Sequence, residues 1–154
     1  MENSEKSEIM KGTYCLIIHL NKSSNIKIGA LGEIYFKKGY YVYIGSAMNS
    51  LKPRIERHLS NSKKIHWHID YLLKKENVAI EEVIFNIGKE KIECELAKII
   101  SSHGEEILNF GSSDCSCNSH LIFFKSFKFC EEIVKKAFSN LNKRYNDFKF
   151  FKQL

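Results

Sequence analysis

The chain is poor in the residues that break structure. It has one proline, Pro53, and eight scattered glycines in 154 residues. No proline- or glycine-rich linker divides it, and no internal repeat is present. Its five cysteines are an odd number without the dense spacing of a secreted disulfide scaffold, which points to a reducing interior. No apolar stretch approaches the roughly 20 residues of a membrane helix. The start, MENSEKSE, is polar and carries no apolar run behind a basic end. A cytoplasmic protein without a membrane partner is expected. Acid is also in short supply, with 18 Asp and Glu against 24 Lys and Arg, a net charge of +6.

What is present suits a packed core. Hydrophobic residues make up 44% of the chain, and 11 Phe, 7 Tyr and one Trp are among them. A chain this long buries about two thirds of its unfolded surface and folds without a disulfide or metal. One domain is expected over residues 11–142, between a flexible N-terminus (1–10) and a basic aromatic tail (143–154). The positive excess is concentrated. Residues 50–64 hold five basic side chains against Glu56, and the tail holds four against Asp147. Either segment can be a solvated face or a surface for an anionic partner.

Residues 13–20 (TYCLIIHL) read as a buried strand. Residues 26–36 read as a hairpin around Gly29 and Gly32, and 40–45 (YYVYIG) as a further strand. Ser50 opens a helix with Pro53 in its first turn and Leu51, Ile55 and Leu59 as an apolar stripe. Residues 65–75 predict a second helix with Ile65, Ile69 and Leu72 or Leu73 inward. A strand over 79–88, a helix over 91–104, a loop over 110–119, a strand over 120–127 and a helix over 130–141 follow. Early hairpins and later alternation give an α+β fold, a small, mostly antiparallel β-sheet flanked by helices.

The stretch GYYVYIGSA (39–47) carries three phenols and then a glycine. Gly45 permits a close backbone approach or an unusual φ. The next helix places Arg54 and His58 four residues apart, on one face. A phenol works as a general base only where something cationic or metallic lowers its pKa or receives its proton. Arginine presents a rigid fork of donors that matches phosphate. Tyrosine, arginine and histidine at one strand end therefore form a candidate phosphodiester site.

With Gly12-Thr13-Tyr14 on the first strand and Tyr43-Ile44-Gly45 on a later one, these residues resemble the GIY-YIG nuclease superfamily. With HWHIDYL (66–72) and FGSSDCSC (110–117), the chain resembles one branch of it, domain of unknown function 123, over roughly residues 11–127. The resemblance implies a GIY-YIG-like core with an inserted hairpin and Tyr43 as general base, adjusted by Tyr14. It implies Arg54, helped by His58, on the phosphate. It also implies a helix glutamate holding one divalent metal, Mg²⁺ or Mn²⁺. Glu93 in the E-x-x-L pattern Glu93-Cys94-Glu95-Leu96 is that glutamate, with Glu95 in reserve. The first motif reads GTY rather than GIY, the gap to Tyr43 is long, and Asn109 is only a candidate for the late asparagine of many relatives.

Two further clusters stand out. If helical, His66 and Asp70 share a face. With His68 they either serve the phosphate cleft or bond the 110–119 loop. Asp114, Cys115, Cys117 and His120 form the other. Cys-x-Cys-x-x-His offers three soft ligands, and His66 or His68 could complete a Zn²⁺ site. The competing reading has Asp114 and the serines bonding loop amides. The basic, aromatic tail can track nucleic acid or dock on the domain or a partner. The expected function is metal-dependent hydrolysis of nucleic-acid phosphodiesters, DNA before RNA. The alternatives are a non-catalytic nucleic-acid-binding module of the same fold and a zinc- or thiol-containing adaptor.

Overall fold

The computed structural model describes residues 10–62, 64–111 and 117–154. The expected flexibility of residues 1–9 and the roles of Asp114 and Cys115 lie outside the described residues. The protein has the expected α+β architecture. A five-stranded, wholly antiparallel sheet runs in the order β5-β1-β4-β7-β6. Its strands are β1 (Gly12–Leu20), β4 (Gly39–Ala47), β5 (Val78–Ile87), β6 (Glu105–Glu106) and β7 (Leu121–Phe124). The expected hairpin forms a separate sheet of β2 (Ser24–Lys27) and β3 (Glu33–Phe36). Its connection is a short 3₁₀ turn at Gly29–Leu31, where Gly29 and Gly32 take φ of 45° and 78°, values that favour glycine.

Successive side chains of a strand point to opposite faces, and here both faces of the central strands are covered. Tyr14, Leu16, Ile18 and Leu20 of β1 join Tyr41 and Tyr43 of β4 in one core. Cys15 and Ile17 join Val42 and Ile44 in a second core. This is why TYCLIIHL reads as a continuous apolar run rather than an alternating one. The first core is closed by α1 (Leu51–Leu59), α2 (His68–Leu73) and the β2–β3 sheet, through Leu51, Ile55, Ile69, Leu72, Ile26 and Phe36. The second is closed by α3 (Glu93–Ser101) and α4 (Phe127–Asn140), through Leu96, Ile100, Val134 and Phe138. Each such side chain contributes about 1.5–3 kcal/mol when fully buried.

Several boundaries differ from the sequence reading. The helix expected from residue 65 starts at His68, because the Asp70 carboxylate accepts the backbone N–H groups of His66 (2.8 Å) and Trp67 (2.9 Å). The strand expected over 120–127 ends at Phe124, and Phe127 already begins α4. Ser126 Oγ accepts from Phe129 N there, an N-cap that fixes the helix start. The tail docks on the domain. Asn146 bridges to Phe85, and α5 (Phe148–Phe151) buries Phe151 in the first core. Among the described residues no helix is long and apolar enough to cross a membrane.

Candidate functional site

The β1–β4 register sets Tyr14 opposite Gly45. A Cβ at Gly45 would stand 2.5 Å from the Tyr14 ring and hydroxyl. Gly45 is thus required by the tyrosine across the ladder. It is not among the glycines with positive φ, which decides between the two uses the sequence allowed. Tyr14 is fully buried, and its hydroxyl is hydrogen-bonded to His58 Nε2 at 2.7 Å, the ring tautomer deciding which of them donates. Tyr43 packs against both, with ring centroids 6.5 Å from Tyr14 and 5.8 Å from His58, and keeps 9% of its surface exposed. The other two phenols serve the fold. Tyr41 donates to Lys37 O at 2.6 Å, and Tyr40 stacks on His19 at 4.6 Å.

Beyond Tyr43 opens a cleft of about 820 Å³. Tyr14, Tyr43, Gly45, Arg54, His66, His68, Glu93, Glu95 and His120 all line it, as do Trp67, Lys91, Cys94 and Gly111. Four elements distant in sequence therefore converge. β1 brings Tyr14, β4 brings Tyr43 and Gly45, α1 brings Arg54, and the first turn of α3 brings Glu93. His58 lies one layer back, behind Tyr14, and does not line the cleft. Asn109 takes a left-handed turn (φ 62°) away from the cleft wall.

Arg54 is held before any ligand arrives. Its Nη1 donates to Ser46 O at 3.1 Å, and its guanidinium lies 4.7 Å from the centre of the Trp67 ring. Arg57 packs on the same indole at 4.4 Å. It also forks onto Asp70, Nη1 to Oδ1 at 3.1 Å and Nη2 to Oδ2 at 2.9 Å, and Nη2 donates to Lys64 O at 2.7 Å. Asp70 is thus a buried anchor, separate in role from His66 and His68, whose rings face the cleft against Trp67 and Phe110. Burial opposes ionisation of Asp70. The hydrogen bonds from Arg57 and from the Trp67 and His66 amides outweigh it and hold the carboxyl below its ordinary pKa.

Burial pushes both cleft tyrosines up. For Tyr43 the Glu93 charge adds to burial and Arg54 opposes it. For Tyr14 burial comes first, then Tyr43, with Arg54 again opposing. Glu93 thus acts electrostatically on both phenols. Its hard oxygens suit Mg²⁺ or Mn²⁺.

The soft cluster differs from the one the sequence spacing outlined. Cys117 and His120 are joined by Cys94, with one ligand atom of each lying within 4.8 Å of the others. His66 and His68 are not part of that group. Cys94 is disulfide-bonded, which the reading of a reducing interior did not anticipate; Cys15, Cys117 and Cys130 carry thiols. Cys117 Sγ donates to Cys94 O at 3.8 Å. Burial raises the Cys117 thiol and lowers the His120 imidazole.

Sequence reasoning missed the Arg57–Asp70 fork, the two guanidiniums on Trp67, Lys91, and Cys94 as a donor. Only Cys94 had a local signal, its place beside Glu93. The profile of a protein family described as domain of unknown function DUF123 matches residues 13–143. The chain belongs to the DUF123 family. The matched span takes in every cleft residue named above. No curated protein and no solved structure gives a significant match.

Proposed function

We propose that this DUF123 protein is a metal-dependent phosphodiesterase of the GIY-YIG type that cuts nucleic acid, DNA being the first substrate to test. The observation that carries the reading is the convergence of Tyr14, Tyr43, Arg54 and Glu93, from four separate elements, on one cleft. A cluster of this kind does little for stability, since it places a cation, a carboxylate and two phenols around an open cavity.

The roles follow from what each group can do. Arg54, already fixed by Ser46 and Trp67, receives the scissile phosphate in its fork and stabilises the charge that builds there. Glu93 would hold the divalent ion, which when bound supplies positive charge for the phosphate oxygens and offsets the charge of Glu93 itself. Burial keeps Tyr43 protonated at neutral pH. Its hydroxyl therefore orients the attacking water and takes a proton as it yields its own toward the Tyr14–His58 pair. His58 Nε2, hydrogen-bonded to the Tyr14 hydroxyl, is the end of that relay. His66, His68 and Lys91 extend the donor surface along the strand.

The second reading, a module that binds nucleic acid without cutting it, draws on the same burial, because a phenolate is costly in this cleft. One experiment separates them. Labelled single strands, duplexes, flaps, junctions and RNA are incubated with Mg²⁺, Mn²⁺ or chelator. Cutting that requires the ion supports the nuclease. Salt-sensitive binding without cutting, indifferent to chelator, supports the module.

A further inference from the structure

The wall of the cleft beside Glu93 carries a group of donors that the phosphodiesterase reading does not use. Cys94 belongs to the first turn of α3, while Cys117 and His120 precede β7. Their ligand atoms lie within 4.8 Å of one another. A tetrahedral zinc ion, about 2.3 Å from sulfur and 2.1 Å from nitrogen, holds its donors roughly 3.5–3.8 Å apart. Only a small closure separates the two arrangements. His120 gives a second, independent sign. Its side chain is only 5% exposed, and its Nε2 is buried with no hydrogen-bond partner. Buried imidazole nitrogens normally have a partner. Its Nδ1 lies 4.0 Å from Glu93 Oε2, beyond hydrogen-bond distance.

We propose that, with Cys94 reduced, Cys94, Cys117 and His120 bind one zinc ion that ties the start of α3 to the approach to β7. Two thiolates and an imidazole select a soft or borderline cation over Mg²⁺. A water or one further side chain supplies the fourth ligand. The site is distinct from the hard-ion position at Glu93, and the proposal stands whether or not the protein cuts nucleic acid. The disulfide at Cys94 is the competing oxidised state. A dithiol reductant breaks that S–S bond by exchange and becomes a disulfide itself, leaving two protein thiols. Cys94 and Cys117 each then release one proton to solvent as the two Zn–S bonds form.

The test is metal analysis of the full chain purified with a dithiol reductant, followed by replacement of zinc with Co²⁺. Expected are one zinc per chain and, with Co²⁺, a thiolate-to-cobalt charge-transfer band with tetrahedral visible bands. Cys117→Ser should remove both, Cys130→Ser should keep both, and oxidation before metal addition should prevent binding. Glu93→Gln should keep the zinc while losing any cleavage, so the two metal positions fail separately. Zinc absent from the reduced wild type, a cobalt spectrum without the charge-transfer band, or full zinc retained in folded Cys117→Ser would each overturn the proposal. If Cys117→Ser does not fold, the wild-type cobalt spectrum alone decides.

Discussion

At the scale of single residues, the site depends on one missing side chain. Tyr14 lies where a Cβ of residue 45 would stand, so Gly45→Ala must displace the ring or the strand. Overpacking of this kind costs about 1–3 kcal/mol. Denaturant unfolding should show that loss, with cleavage falling because Tyr14 no longer meets His58. Tyr14→Phe keeps the ring and removes only the hydroxyl. It should cost about 1–2 kcal/mol by leaving a buried histidine nitrogen short of a partner. A Gly45→Ala protein of unchanged stability would show that the ladder tolerates the extra methyl. The residues of this site were the most legible part of the chain, because Tyr14, Tyr43, Gly45, Arg54 and Glu93 sit in short motifs. The depth of His58 was not legible, since helical spacing gives its face and not what covers it.

At the scale of elements, α1 and α2 are coupled by Arg57 and Asp70, and this pair accounts for the misread helix start. The apolar spacing of Ile65, Ile69 and Leu72 suits a helix from residue 65, yet Ile65 is 37% exposed and lies outside the helix. The Asp70 carboxylate sets the boundary by accepting the His66 and Trp67 amides, and Arg57, 13 residues away, holds it in place. Asp70 is wholly buried and its folded pKa is lowered. Its contribution to stability is therefore complete above the unfolded value of about 3.9 and lost as pH falls through the lower folded value. Asp70→Asn should cost about 3 kcal/mol at neutral pH and make stability less dependent on pH below about 4. Urea unfolding of both proteins across acidic pH checks this. Parallel pH curves would mean that Asp70 does not carry the acid sensitivity.

At the scale of the whole molecule, the five-stranded sheet brings together residues nearly eighty positions apart, from Tyr14 to Glu93. Fold class was legible because the strands are apolar runs bounded by turn residues and the helices carry apolar stripes at helical spacing. The soft cluster was only half legible, since Cys94 reaches Cys117 and His120 through the packing of α3 on the sheet. The sequence allows the tail to track nucleic acid, to dock on the domain or to dock on a partner, and the buried Phe151 shows that its end packs on the domain. Deleting residues 143–154 should therefore lower thermal stability, by about 1.5–3 kcal/mol for Phe151 alone. An unchanged melting temperature would return the tail to solvent. The most direct test of the central claim is single-turnover cleavage with saturating Mg²⁺, comparing wild type with Tyr43→Phe, Arg54→Ala and Glu93→Gln. Expected are a loss of about 10²–10³-fold for Arg54→Ala and no measurable cutting by the other two, with all three still folded. Wild-type cutting rates in folded Glu93→Gln and Tyr43→Phe proteins would contradict the placement of the chemistry in this cleft.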